Sequence, residues 1–224
     1  MVLKNKERGD KMKAVIFDMD GVLIDSEPLY YEVEHSIYDE LGVQIEDERY
    51  AQYVGSSAYK MYSDLKEEFH FEADIEELIQ KTRERIEEII EIPGKLKLIE
   101  GVIPLLQWCK EKEYKTAIAS SSHDEMIQKV VDIVDIRQYF DTLVSGDFVK
   151  KSKPNPDIFL YAAKKLEVKP QNCIVIEDSS NGVKAANRAG MKCIGFQSPN
   201  TPPQNLEIAD QVVVHMTEII NILK

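Results

Sequence analysis

The residues of this chain able to do chemistry gather at the ends of apolar runs. Asp18 and Asp20 close the stretch "VIFDMDG" at residues 15–21. Two carboxylates so close repel each other and resist desolvation unless a cation or a proton offsets them. Ser120 ends "KTAIAS", Lys153 stands in "KSKPNPDIF", and Glu177 and Asp178 end "CIVIED". Hard oxygen donors gathered around one point suit magnesium with retained waters better than zinc or copper. Gly21, directly after Asp20, supplies the backbone freedom for a tight loop. Singly, each residue has an ordinary explanation: a serine caps a turn, a lysine before proline sits on a surface loop, and an acidic pair opens a helix. Together the gathered carboxylates ask for a divalent cation.

Positioning them requires a particular order of elements. Short β-rich runs occur at 13–18, 115–120, 142–146, 173–178, 192–196 and 211–214, and between most of them lie stretches of helical periodicity at 102–113, 124–134, 156–166 and 180–189. Strands alternating with helices predict an α/β fold, a Rossmann-like doubly wound parallel sheet covered on both faces. Such sheets bind ligands at the carboxyl ends of their strands, where Asp18, Ser120 and Asp178 fall. The alternation breaks once. From Asp25 to Gly101 only helical stretches occur, at 27–41, 47–54, 58–69 and 74–92. This predicts an inserted α-helical cap over 27–95, joined by linkers near Asp25 and Pro93 to a core made of 1–26 and 96–224.

Composition narrows the partners. With 40 acidic against 28 basic residues the 224-residue chain carries a net charge of −12, which repels nucleic acid and anionic membrane surfaces. Any phosphate ligand would therefore need a local positive site. Cys109, Cys173 and Cys193 lack metal or disulfide spacing and read as core filling, and His35, His70, His123 and His215 show no metal spacing. The charged start "MVLKNKERGDKMK" has no apolar stretch behind it, so a cytoplasmic location is expected, with a monomer as the default.

The pattern D-x-D-G-x-x-x-D in "DMDGVLID" (18–25) resembles the first motif of the haloacid dehalogenase superfamily, in its phosphatase and β-phosphoglucomutase branch. Ser120, Lys153 and the pair Glu177–Asp178 match its remaining motifs in order. The resemblance implies that Asp18 is the nucleophile and a magnesium ligand. It makes Asp20 the general acid and base, with a raised pKa, meeting the metal through its backbone carbonyl. Ser120 and Ser121 would bind the phosphoryl group and Lys153 would offset its charge. Asp178 would ligate magnesium, and Glu177 would orient a magnesium-bound water.

In the cap, the "VGSS" turn makes Gly55, Ser56, Tyr59 and Lys60 candidate substrate contacts. The activity implied is a magnesium-dependent phosphatase for a small phosphorylated metabolite such as a sugar phosphate. A β-phosphoglucomutase is the alternative, but Ala58 stands where that enzyme has a cap arginine and Tyr30 where it has a histidine; Lys60 is the residue that would have to reach a second phosphate. A non-catalytic binding protein on this fold would lack a motif residue, and none is missing.

Overall fold

Ala14 and Ile16 of the first strand, β1 (Ala14–Phe17), pack on one side of a sheet and Val15 and Phe17 on the other, so β1 is buried on both faces. An unbroken apolar run is what such a strand requires. In this computed structural model, which describes residues 12–53 and 57–224, five more strands join it: β2 (Lys115–Ser120), β3 (Thr142–Ser145), β4 (Cys173–Glu177), β5 (Lys192–Phe196) and β6 (Gln211–Val213). All pairings are parallel, in the order β3-β2-β1-β4-β5-β6. The chain winds outward from β1 to β3, then returns to the other side of β1. The switch point where a doubly wound sheet opens a crevice is therefore at β1.

Helices α1 (Glu27–Leu41), α2 (Asp47–Tyr50), α3 (Ala58–Phe69) and α4 (Ile75–Ile90) lie between β1 and β2 in the chain, with α4 packed on α1 and α3. Asp74 caps α4, its carboxylate accepting from the N–H groups of Glu76 and Glu77. The helix expected over 47–54 is only the four residues of α2, followed by a turn through Tyr53. Where the chain leaves and rejoins the sheet region, the two passing segments are tied. Asp25 N–H donates to the Lys97 carbonyl and Ile99 N–H to that of Leu23, and Ile24 and Leu98 form an isolated antiparallel bridge.

The sheet is covered on one face by α5 (Val102–Glu111) and α6 (Asp124–Ile133) and on the other by α7 (Asp157–Lys165) and α8 (Ser180–Arg188). A last helix, α9 (Met216–Leu223), packs on α5. Sequence periodicity over the other elements left α9 unassigned. Its start is a capping box in which the Glu218 side chain accepts from the His215 N–H, and Met216 and Ile219 are buried. Among the described residues no helix is long and apolar enough to cross a membrane.

Candidate active site

Strand register assembles the site. Phe17 pairs with Ile118 on β2 and with Ile176 on β4, so the next residues along the three strands, Asp18, Ala119 and Glu177, end side by side. Ser120 ends β2 one step further and Asp178 follows β4. Past Asp18 the chain turns sharply: the N–H groups of Val22, Leu23 and Ile24 all point at the Met19 carbonyl, and Gly21 takes the left-handed conformation at φ 71°. Gly21 is also where Asp178 packs against this loop, and a Cβ there would overlap the Asp178 carboxylate. The residue must therefore be glycine on two counts. Gly21→Ala is expected to displace Asp178 and to destabilise the fold by about 1–3 kcal/mol, read as a lowered urea midpoint.

Lys153 is the centre of the charge arrangement. Its side chain is 8% exposed, and its ammonium donates to Asp18 Oδ1 at 2.5 Å, Glu177 Oε1 at 2.7 Å and the Ala119 carbonyl at 3.3 Å. Desolvation works against its charge, but the two carboxylates outweigh it and hold the lysine protonated well above its usual range. Burial pushes the Asp18 carboxyl up to about 7 against the pull of Lys153, with the charges of Glu177 and Asp20 adding to the rise. Asp178 is raised by burial and by the charges of Glu177 and Asp18. Four acids around one ammonium leave an excess of negative charge that a divalent cation would neutralise.

Glu177 is held by its protein neighbours. It is fully buried, with one oxygen on Lys153 and the other accepting from the Ser179 N–H and hydroxyl. Gly182 on α8 leaves the space for it, since a Cβ there would overlap the carboxylate. Both oxygens are engaged, and Glu177 positions Lys153. Among the described residues no cluster of three or more His, Cys, Asp or Glu side chains is arranged to hold a metal ion. The carboxylates in place are Asp18 and Asp178, on either side of the loop that carries the Asp20 backbone. Carboxylate oxygens are the hard donors with which magnesium keeps several waters, so the residues present fit the ion.

Asp20 faces another way. Its carboxyl is raised by burial, with hydrogen bonds from Ser26, Ser122 and Ser120 pulling in the opposite direction; Ser122 Oγ lies 3.1 Å from Oδ2. The direction agrees with expectation, the leading cause being burial. Ser120 Oγ accepts from the Ser122 N–H at 3.0 Å and so shapes the 120–122 turn ahead of α6. Asp20, Ser121 and Ser122 form the inner edge of a cavity of about 380 Å³ whose other walls come from α1, the α2–α3 segment, α4 and the start of α6.

The outer walls hold residues that motif reasoning missed. Glu27, Tyr30 and Glu34 lie on one face of α1, spaced by three and four, and all three line the cavity with Tyr50, Arg83 and His123. Their helical spacing was the available signal. His123, assigned no part from sequence, approaches Glu87 at 3.1 Å, while Lys129 reaches Glu87 at 3.3 Å and Glu91 at 2.8 Å, fastening α4 to α6. Conversely, the expected substrate contact Lys60 is turned away: its side chain is 63% exposed and pairs with Asp64 at 2.6 Å, one helical turn on. Tyr59 is exposed as well, and neither lines the cavity. From that turn Ser57 and Ala58 line it instead; Gly55 and Ser56 lie outside the described residues.

The profile of haloacid dehalogenase-like hydrolases matches residues 15–196, from β1 through β5. The chain belongs to this family. Within the family it is similar to a phosphorylated carbohydrates phosphatase of Thermotoga maritima, 34% identical over 95% of this chain and 99% of the relative. It is also similar to hexitol phosphatase B of Escherichia coli, 33% identical over 92% and 93%. Among solved structures, one described as a putative beta-phosphoglucomutase from Thermotoga maritima superposes with a TM-score of 0.75 at 34% identity, covering 95% of this chain and 98% of that one. The haloacid dehalogenase-like fold thus accounts for the parallel sheet and for the positions of Asp18, Ser120, Lys153 and Asp178 at its carboxyl edge.

Proposed function

We propose that the protein is a magnesium-dependent phosphatase that hydrolyses the phosphate monoester of a sugar or a related small metabolite through an aspartyl phosphate on Asp18. The observation that carries this reading is the pairing of Asp18 with the buried Lys153, beside an Asp20 that borders the cavity. Support comes also from relatives named as phosphatases of carbohydrate and hexitol phosphates. Residues 27–95 act in this reading as a cap that closes over the cavity on the segments near Asp25 and Pro93, with 1–26 and 96–224 as the core.

An Asp18 oxygen attacks phosphorus as the ester P–O bond breaks, and the departing alkoxide takes its proton from Asp20. Water then attacks phosphorus and gives a proton back to Asp20, breaking the bond to Asp18 and releasing inorganic phosphate. Lys153 keeps the Asp18 carboxylate aimed and offsets charge on the phosphoryl oxygens. Ser121 lines the cavity at the β2 end, and Ser120 and Ser121 would bind the phosphoryl oxygens. Asp18, Asp178 and the Asp20 carbonyl would hold magnesium, which would supply the further positive charge that the transferring phosphoryl group needs.

Phosphate release from a panel of sugar monophosphates, run beside β-glucose 1-phosphate primed with its bisphosphate, tests the assignment. Release of phosphate, abolished by chelation and restored by magnesium, is the expected result. Conversion of β-glucose 1-phosphate to glucose 6-phosphate with little free phosphate would replace the phosphatase with a mutase.

A further inference from the structure

The cavity beside Asp20 is where the leaving group of the ester must sit, and its lining is unusual in charge. Glu27 and Glu34 stand two turns apart on the cavity face of α1 with Tyr30 between them, and Glu27 lies close enough to Asp20 and to Glu34 for each to repel its charge. Tyr50, across the cavity, hydrogen-bonds Glu34. Ser26, Ser57 and Thr82 contribute further hydroxyls, and Met61 and Ile86 are apolar walls that weaken solvent screening. Against these carboxylates the lining among the described residues contains a single guanidinium, Arg83, which is exposed to solvent. His123 is engaged by Glu87 and Lys60 by Asp64 outside the cavity.

Carboxylates along a narrow cavity accept hydrogen bonds from hydroxyls and repel anions. We propose that the Glu27–Tyr30–Glu34 face of α1 is a specificity element that accepts esters with an uncharged polyhydroxy leaving group and rejects those carrying a carboxylate or second phosphate. This rests on the phosphatase reading above. Burial, which pushes both glutamates up to about 7, is consistent with a site that a hydroxyl-rich neutral group fills at low electrostatic cost.

The test compares kcat/KM for sorbitol 6-phosphate and 6-phosphogluconate, which differ at the end remote from the phosphate. The wild-type protein is expected to favour sorbitol 6-phosphate by about thirtyfold or more, and Glu34→Gln to narrow that ratio about tenfold. A second arm needs no variant: free sorbitol should compete with sorbitol 6-phosphate at concentrations where gluconate does not. A wild-type protein without preference, equal competition by gluconate, or an unmoved ratio in a folded Glu34→Gln protein would each overturn the proposal while leaving the phosphatase reading intact. Absence of phosphate release from every ester would end both.

Discussion

Asp18→Asn is expected to lower phosphate release from a sugar monophosphate by at least about a thousandfold while leaving the melting temperature unchanged or raised. The loss follows from the nucleophile's role, since an amide at this position has no free carboxylate oxygen to form the covalent bond to phosphorus. The retained stability follows from charge. Asp18 is 7% exposed in a site where four acids surround one ammonium, so an isosteric neutral side chain relieves repulsion among Asp20, Glu177 and Asp178. Lys153 keeps Glu177 at 2.7 Å as a partner. Activity and stability should therefore separate in this variant. A protein that kept a tenth of its activity would show that Asp18 is not the nucleophile.

Lys153→Met should do the opposite and lose both. The ammonium bridges Asp18 and Glu177 in a site with side-chain exposures of 8%, 10% and 1%. Removing it leaves buried carboxylates without compensation, for which about 3 kcal/mol of destabilisation is the expected order. Protonation of Asp18, already raised by burial, relieves part of this cost, so the penalty should be smaller at pH 5 than at pH 8. Urea midpoints at the two pH values measure it. Activity should fall about a thousandfold as well, because charge on the phosphoryl oxygens is then opposed by one cation fewer. An unchanged midpoint at pH 8 would mean that the Lys153 bridge contributes nothing to the folded state.

Asp18 was legible in the sequence because it sits at a strand end, where an apolar run stops and a polar residue starts, whereas Lys153, in the loop between β3 and α7, was legible only through its motif. The same logic located the strands themselves within a residue or two, since buried parallel strands leave continuous apolar runs between turn signals. It was less informative for side chains whose role depends on what they face. Glu177 reads in sequence as a second acid beside Asp178, but Gly182 and Ser179 turn it inward to Lys153. Lys60 follows Ser57 and Ala58, which line the cavity, yet Asp64, four residues on, draws it to the outside. Glu27, Tyr30 and Glu34 share a helix face in any reading of α1. That this face borders the cavity depends on how α4 and α6 pack around it, and that is a tertiary fact.

The central claim is that phosphorus is transferred twice, first to Asp18 and then to water. The most direct measurement is the stereochemical course at phosphorus, using a sugar phosphate made chiral with oxygen isotopes and thiophosphate chemistry. Two in-line displacements predict retention of configuration in the released inorganic thiophosphate. Inversion would mean a single displacement by water and would contradict the covalent account.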